Sequence, residues 1–258
     1  MADKAKTPPP PKKAPQKGSG GSKRNLWLIL IIAGVVGVVA AGGLIVLSQR
    51  SGTADDGANA AEVEAGKLKD TRQVQEFFAG VPQNGNTLGD PAAPVTITEY
   101  ADLRCPVCKT FALETANQMI GTFVKPGKAK YVFRIWPILG PDSVSATQCA
   151  VAAQQQNQLF QYQDLWYHNQ QDEATEYATP AYCDGIAEAL GLDLAQFQQD
   201  RQNEALWAPE VQDVQVIAAQ ENFTGTPSIV IEGPNGVETL TGSLPDITAI
   251  TEAIKAVQ

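Results

Sequence analysis

Two cysteines separated by two residues, Cys105-Pro106-Val107-Cys108, form the group in this sequence best suited to chemistry. Such spacing serves either thiol–disulfide exchange or one half of a metal site. A zinc centre needs further Cys or His ligands at short spacing, but Cys149 and Cys183 stand far apart and His168 is the only histidine. That histidine reads as a helix-surface residue, and no metal is called for. An inert structural bridge across so small a ring would constrain little unfolded-chain entropy. The pair is therefore read as reactive. At the start of a helix, free backbone N–H groups and the helix dipole favour a thiolate, which makes Cys105 the nucleophile. Pro106 fits the first turn because its missing N–H would have been unpaired there. Cys108, one turn further in, is shielded and becomes the resolving thiol. The redox-active Cys105–Cys108 disulfide needs no separate cofactor.

The elements around the pair suit this reading. Val95 to Tyr100, β-branched and aromatic, predicts a strand that runs into the motif. Phe111, Ala112, Thr115, Met119, Ile120 and Phe123 recur at helical spacing, which predicts a helix from Pro106 to about Val124. Lys130 to Ile138 is again strand-like, completing a strand, crossover helix, strand unit of a parallel α/β sheet. Residues 141–221 lack strand signals and place Leu159, Tyr162, Leu165 and Trp166 on one helical face, so they read as an inserted all-helical subdomain. Thr179-Pro180 and Asp193 start helices within it. Strands at Ser228 to Ile231 and Val237 to Thr241, a Gly233-Pro234-Asn235-Gly236 turn and a helix from about Pro245 complete the domain, assigned to residues 73–258.

The N-terminal part differs in character. Leu26 to Leu47 is a run of 22 uncharged residues, about 33 Å as a helix and long enough to cross a bilayer. Residues 26–48 are accordingly assigned as a single transmembrane anchor. Basic residues crowd before the run and only Arg50 follows closely, so the N-terminus is expected in the cytoplasm and residue 49 onward outside. The alternatives are a cleaved signal, for which Ala58-Asn59-Ala60 offers a distant site, and a buried helix. Residues 1–25, rich in Pro, Lys, Gly and Ser, read as a disordered basic tail, and residues 49–72 as a solvated linker with a helical tendency near Ala60 to Lys69. The tail holds seven Lys/Arg and one Asp; the remainder holds twelve against 27 Asp/Glu, a net charge of −15. So acidic a remainder argues against nucleic acid as a partner. In an oxidising compartment Cys149 and Cys183 read as one structural disulfide, with two buried free thiols as the alternative.

Leu88 to Cys108, LGDPAAPVTITEYADLRCPVC, together with Gly225-Thr226-Pro227, resembles the DsbA family of thioredoxin-fold thiol-disulfide oxidoreductases, in its membrane-anchored Gram-positive and actinobacterial form. The resemblance covers roughly residues 75–258. It implies a thioredoxin-like fold, a cis bond between Thr226 and Pro227 facing the motif, and an acidic residue beneath the disulfide that helps move protons. Glu99 matches that acidic position and Asp102 is its rival. Many strong oxidants of the family carry His between the cysteines, where this chain has Val107; Arg104 and Lys109 could substitute by Coulombic attraction if they point at the sulfur. By this resemblance the protein donates its disulfide to reduced or unfolded exported proteins and is reoxidised by a quinone-linked membrane partner, DsbB-like or vitamin K epoxide reductase-like. A reductase or isomerase of the same compartment, and a non-enzymatic peptide-binding module, are the competing expectations.

Overall fold

The structure is a computed structural model that describes residues 68–258. The apolar run at 26–47, the basic tail and the helical tendency at 60–69 fall outside the described residues, save for Leu68 and Lys69. Among those described, no helix is long and apolar enough to cross a membrane.

The sheet is built around β3 (Val95–Ala101). Its sequence VTITEYA supplies β-branched residues to a strand paired on both sides, parallel to β4 (Ala129–Ile135) and antiparallel to β5 (Ser228–Gly233). Val95, Ile97, Glu99 and Ala101 share one face and are fully buried, as the period of two requires. The strand order is β1-β2-β4-β3-β5-β6, with a short hairpin of β1 (Gln83–Asn84) and β2 (Thr87–Leu88) at one edge and β6 (Gly236–Leu240) at the other. Neither hairpin strand exceeds two residues, too short for an alternation to be read from sequence. β4 also stops earlier than expected, because Trp136 and Pro137 follow it and proline cannot donate to a ladder.

The first helix, α1 (Thr71–Phe78), straddles the linker boundary drawn at residue 72 and buries Val74 and Phe78. The parallel β3–β4 pair needs a crossover, supplied by helix α2 at 106–124. Phe111, Ala112, Met119, Ile120, Phe123 and Val124 on α2 are buried against the sheet. Two stretches of α2, Phe111–Ala116 and Ile120–Val124, are wound as π-helix, a departure from the plain helix its periodicity predicts.

Between β4 and β5 lie five helices: α3 (Pro141–Gln155), α4 (Leu159–His168), α5 (Pro180–Ala189), α6 (Leu194–Gln202) and α7 (Glu204–Gln220). Their starts follow local chemistry. Thr179 accepts from the Tyr182 N–H, Asp193 from Gln196 and Asn203 from Ala205, each satisfying a donor that the helix itself leaves free. The layer is filled by aromatic side chains, with Trp166 edge-on to Tyr182 at 4.8 Å and Tyr162 5.7 Å from Phe197. A disulfide joins Cys149 of α3 to Cys183 of α5. The final helix, α8 (Ile247–Val257), is capped by Asp246 and ends against the β5–β6 turn. There the Val257 carbonyl accepts from the Asn235 N–H at 2.9 Å, and Gly233 leaves no room for a Cβ beside that carbonyl.

Closing a loop of 34 residues stabilises by about 3–4 kcal/mol through the unfolded chain. The Cys149→Ala/Cys183→Ala double variant should therefore lose about that much in a chemical denaturation experiment, with α4 still helical by circular dichroism.

Candidate active site

β3 delivers the chain to the site, and residues 102–104 turn it into α2. Asp102 shapes that turn. Its Oδ1 accepts from the Arg104 N–H at 2.8 Å, and its Oδ2 accepts from the N–H groups of Ile138 and Leu139 at 2.8 and 3.0 Å. Both oxygens are committed to backbone donors, so Asp102 fixes the loop to the segment after β4.

The backbone carbonyls of the turn are met by the helical layer. Trp166 Nε1–H and Gln170 Nε2–H both donate to the Leu103 carbonyl at 2.8 Å, Gln170 also to the Cys105 carbonyl at 3.2 Å, and the Tyr167 hydroxyl to that of Asp102 at 3.2 Å. Buried carbonyls without partners would each cost on the order of 1–3 kcal/mol, so these side chains are positioning residues. The sequence reading treats Trp166 as core and does not single out Tyr167 or Gln170. The available signal is a cluster of side chains with polar tips, Trp166-Tyr167-His168-Asn169-Gln170, at the end of an apolar face.

Arg104 does not point at the sulfur, as considered from sequence. It is buried, pairs with Asp142 at 2.9 Å, donates to the Glu173 carbonyl at 2.6 Å and to that of Thr175, and lies over the Tyr177 ring. A buried guanidinium needs acceptors for its several N–H groups, and the 173–177 loop supplies them. The charge of Lys109 is felt at His168, on the helical layer.

Cys105 caps α2, with Pro106 in the first turn, and its Sγ accepts from the Cys108 N–H at 3.4 Å. Both cysteines are free thiols here. The Thr226–Pro227 peptide is cis, and the Thr226 carbonyl accepts the Cys105 thiol hydrogen at 3.6 Å. The Ser228 hydroxyl braces this loop by donating to the Gly225 carbonyl at 2.8 Å. Beside it runs an open groove of about 310 Å³, walled by Val107, Thr226, Pro227 and Leu244. The Val107 side chain is 43% exposed in that wall.

Three groups share this buried ground and titrate in different directions. The Cys105 thiol falls from 9.0 to about 6, chiefly because the Cys108 thiol hydrogen-bonds its anion; burial opposes this, while Thr226 and the backbone N–H groups of Cys108 and Val107 assist. Cys108 is pushed well above its ordinary range by burial and by the neighbouring Cys105. Burial also raises Glu99 from 4.5 to about 8, against a hydrogen bond from Tyr131 and with a small push from Cys105. The Tyr131 hydroxyl donates to Glu99 Oε2, while Oε1 has no partner. Of the two carboxylates weighed from sequence, Glu99 is thus the one coupled to the thiols. Among the described residues no three His, Cys, Asp or Glu side chains converge as a metal centre requires.

A family model described as Thioredoxin matches residues 82–244. The probable disulfide bond formation protein D of Bacillus anthracis is 26% identical over 162 residues, 61% of this chain and 73% of its own. The disulfide bond formation protein D of Bacillus subtilis is 22% identical over 165 residues, 62% and 74% of the two chains. Among solved structures, oxidised BdbD from Bacillus subtilis gives a TM-score of 0.59 at 21% identity, over 68% of this chain and 95% of its own. Wolbachia pipientis alpha-DsbA1 gives 0.59 at 20% identity, over 70% and 94%. At these identities the structural likeness is one of fold.

The raised Glu99 has a consequence for stability. A group whose pKa rises on folding contributes fully below its unfolded value and loses that contribution as pH climbs toward its folded value. Between 4.5 and about 8, the buried carboxyl therefore becomes a growing liability, worth about 3 kcal/mol at pH 7. Glu99→Gln, which can still accept from Tyr131, should raise stability at neutral pH, and the gain should vanish below about pH 4.5. Urea titrations across pH measure this; a gain independent of pH would contradict the burial of an ionisable group there.

Proposed function

This chain belongs to the DsbA family of thioredoxin-fold protein disulfide oxidoreductases, and from that premise we propose that it works outside the cytoplasm, passing its Cys105–Cys108 disulfide to reduced exported proteins. The observation that carries the direction of transfer is the depressed Cys105 thiol. A pKa of about 6 leaves the reduced protein holding a stable thiolate at neutral pH, which favours the reduced product by roughly tenfold, ~1.4 kcal/mol or ~30 mV, over an ordinary thiol. A protein stabilised in its reduced form is an oxidant of others.

The steps follow from the geometry. A substrate thiolate enters the groove beside Pro227 and attacks Cys105 Sγ, forming a mixed disulfide and breaking the Sγ–Sγ bond. The released electron pair goes to Cys108, whose buried position disfavours a thiolate. Glu99, protonated at neutral pH and free at Oε1, gives its proton to Cys108. A second substrate thiolate then attacks the substrate sulfur of the mixed disulfide. The substrate leaves oxidised by two electrons, and Cys105 leaves as the stabilised thiolate. Pro106 stiffens the start of α2, and Thr226 faces the reacting sulfur. A quinone-linked membrane oxidase, DsbB-like or vitamin K epoxide reductase-like, then takes the two electrons back.

The compartment rests on sequence. The uncharged run at 26–47 and the Lys/Arg excess before it support a single-pass anchor with the catalytic domain outside the cell membrane. A structural disulfide in the same domain is consistent with an oxidising space.

Equilibration of the protein with glutathione buffers should give a reduction potential clearly less negative than the ~−270 mV of thioredoxin; a value at or below it would make the protein a reductase. Cys105→Ser should abolish oxidation of a reduced, unfolded test protein, and retained activity would sink every redox reading. Protease added to intact wall-stripped cells should digest residues 73–258 while sparing the N-terminal tail.

A further inference from the structure

Glu99 is sealed from water, so each proton it gives to Cys108 must be replaced through the protein. Tyr131 donates to Glu99 Oε2. Tyr131 also lines a small, partly open cavity together with Asn117, Gln163 and Asp164. Its free volume of about 10 Å³ is close to the ~10–15 Å³ that admits one water molecule. Gln163 is almost completely buried, and its Oε1 has no hydrogen-bond partner, an orphan acceptor on the cavity wall. A cavity with several polar walls and one unsatisfied acceptor fits a structural water rather than a dry void.

From the cavity the path continues outward. Asp164 Oδ1 accepts from Asn117 at 3.4 Å, and Asp164 Oδ2 lies 3.5 Å from His168 Nε2. His168 Nδ1 is 3.1 Å from Asp70 Oδ2, and Asp70 is open to solvent. The sole histidine of the chain is thus neither a plain surface residue nor part of the sulfur chemistry. It bridges a buried carboxylate and an exposed one. The charged groups that bear on it are Asp164, Asp70 and Lys109, and the hydrogen bond to Asp164 raises its pKa above the ordinary 6.5 against the effect of burial.

We propose that Tyr131, one water held by Gln163, Asp164 and His168 form a proton relay that reloads Glu99 from solvent during disulfide transfer. The proposal rests on the reading of Glu99 as proton donor to Cys108. After that donation Glu99 is a carboxylate; Tyr131 gives it the hydroxyl proton and takes one from the water. The water is reprotonated by Asp164, which received its proton from the imidazolium of His168, and bulk solvent restores His168. One proton crosses, and every carrier returns to its starting charge. Reversed, the same path drains Glu99 during reoxidation.

The test follows cleavage of the Cys105–Cys108 bond by a reduced peptide in rapid mixing, with the full-length protein in detergent. Asp164→Asn and His168→Ala should slow the reaction about tenfold in dilute non-imidazole buffer, leave the equilibrium potential unchanged, and enlarge the solvent deuterium isotope effect. Added imidazole should restore the His168→Ala rate. Unchanged rates in both variants, or a slowing that neither imidazole nor deuterated solvent alters, would overturn the relay; the second would mark a purely structural role. Asp164→Asn preserves side-chain shape and guards against a folding defect in His168→Ala. Glu99→Gln separates the two layers. If it is slow while the other variants react normally, only the relay falls; if it reacts at the wild-type rate, the donor role falls and takes the relay with it.

Discussion

A thiolate held almost out of contact with water is the constraint on which this structure turns. Cys105 is 7% exposed, and charge in such a place is tolerable only where donors replace the lost hydration. The Cys108 thiol and the first-turn N–H groups of Val107 and Cys108 provide them. Each contact depends on where α2 begins, and that depends on the turn at 102–104. The hydrogen bond from the Cys108 N–H to Cys105 Sγ at 3.4 Å leaves little tolerance, since such bonds weaken steeply away from their preferred geometry. The turn is accordingly held from both sides. Asp102 draws its N–H side and the segment after β4 together, while Trp166, Tyr167 and Gln170 take up its carbonyls.

This gives the helical insertion a task beyond enlarging the core. α4 brings the donors, and the elements around α4 keep it from moving. The Cys149–Cys183 bridge ties α3 to α5, Arg104 reaches from the turn to Asp142 on α3, and the Tyr182 hydroxyl donates to the Asn169 carbonyl. The sheet fixes the direction from which the cysteines arrive; the insertion fixes their orientation. A buried carboxyl group and two buried sulfurs in one core are costly, and they sit beside this aromatic, cross-linked layer.

Much of this was legible because it follows from periodicity and local chemistry. The β3 strand, the helix at the motif, the all-helical character of 141–221 and the caps at Thr179 and Asp193 all rest on spacing within a few residues. Parity also contained an unused signal. Val95, Ile97, Glu99 and Ala101 alternate onto one strand face, so Glu99 had to point inward with Val95 and Ile97. Asp102 lies beyond the strand, where that rule ends. What could not be read depends on long-range geometry. Arg104 and Lys109 flank the motif equally in sequence, and only the position of the 173–177 loop shows that Arg104 has acceptors elsewhere. The role of His168 likewise needs Asp70, nearly a hundred residues earlier.

Val107 shows why a motif and its surroundings must be weighed together. Its side chain has no donor to offer, which from sequence alone counts against a stabilised thiolate. The stabilisation arrives instead through its backbone N–H, through Cys108 and across the chain from Thr226, none of which depends on the side chain at 107. That side chain is released for a different use. Exposed beside Leu244 in the wall of the groove, it presents apolar surface next to Pro227. Substitution there would act mainly on what the groove holds, whereas movement of the turn or of α4 would act on the sulfur itself. The surface of the groove and the state of the Cys105 sulfur are thus set by different parts of the chain.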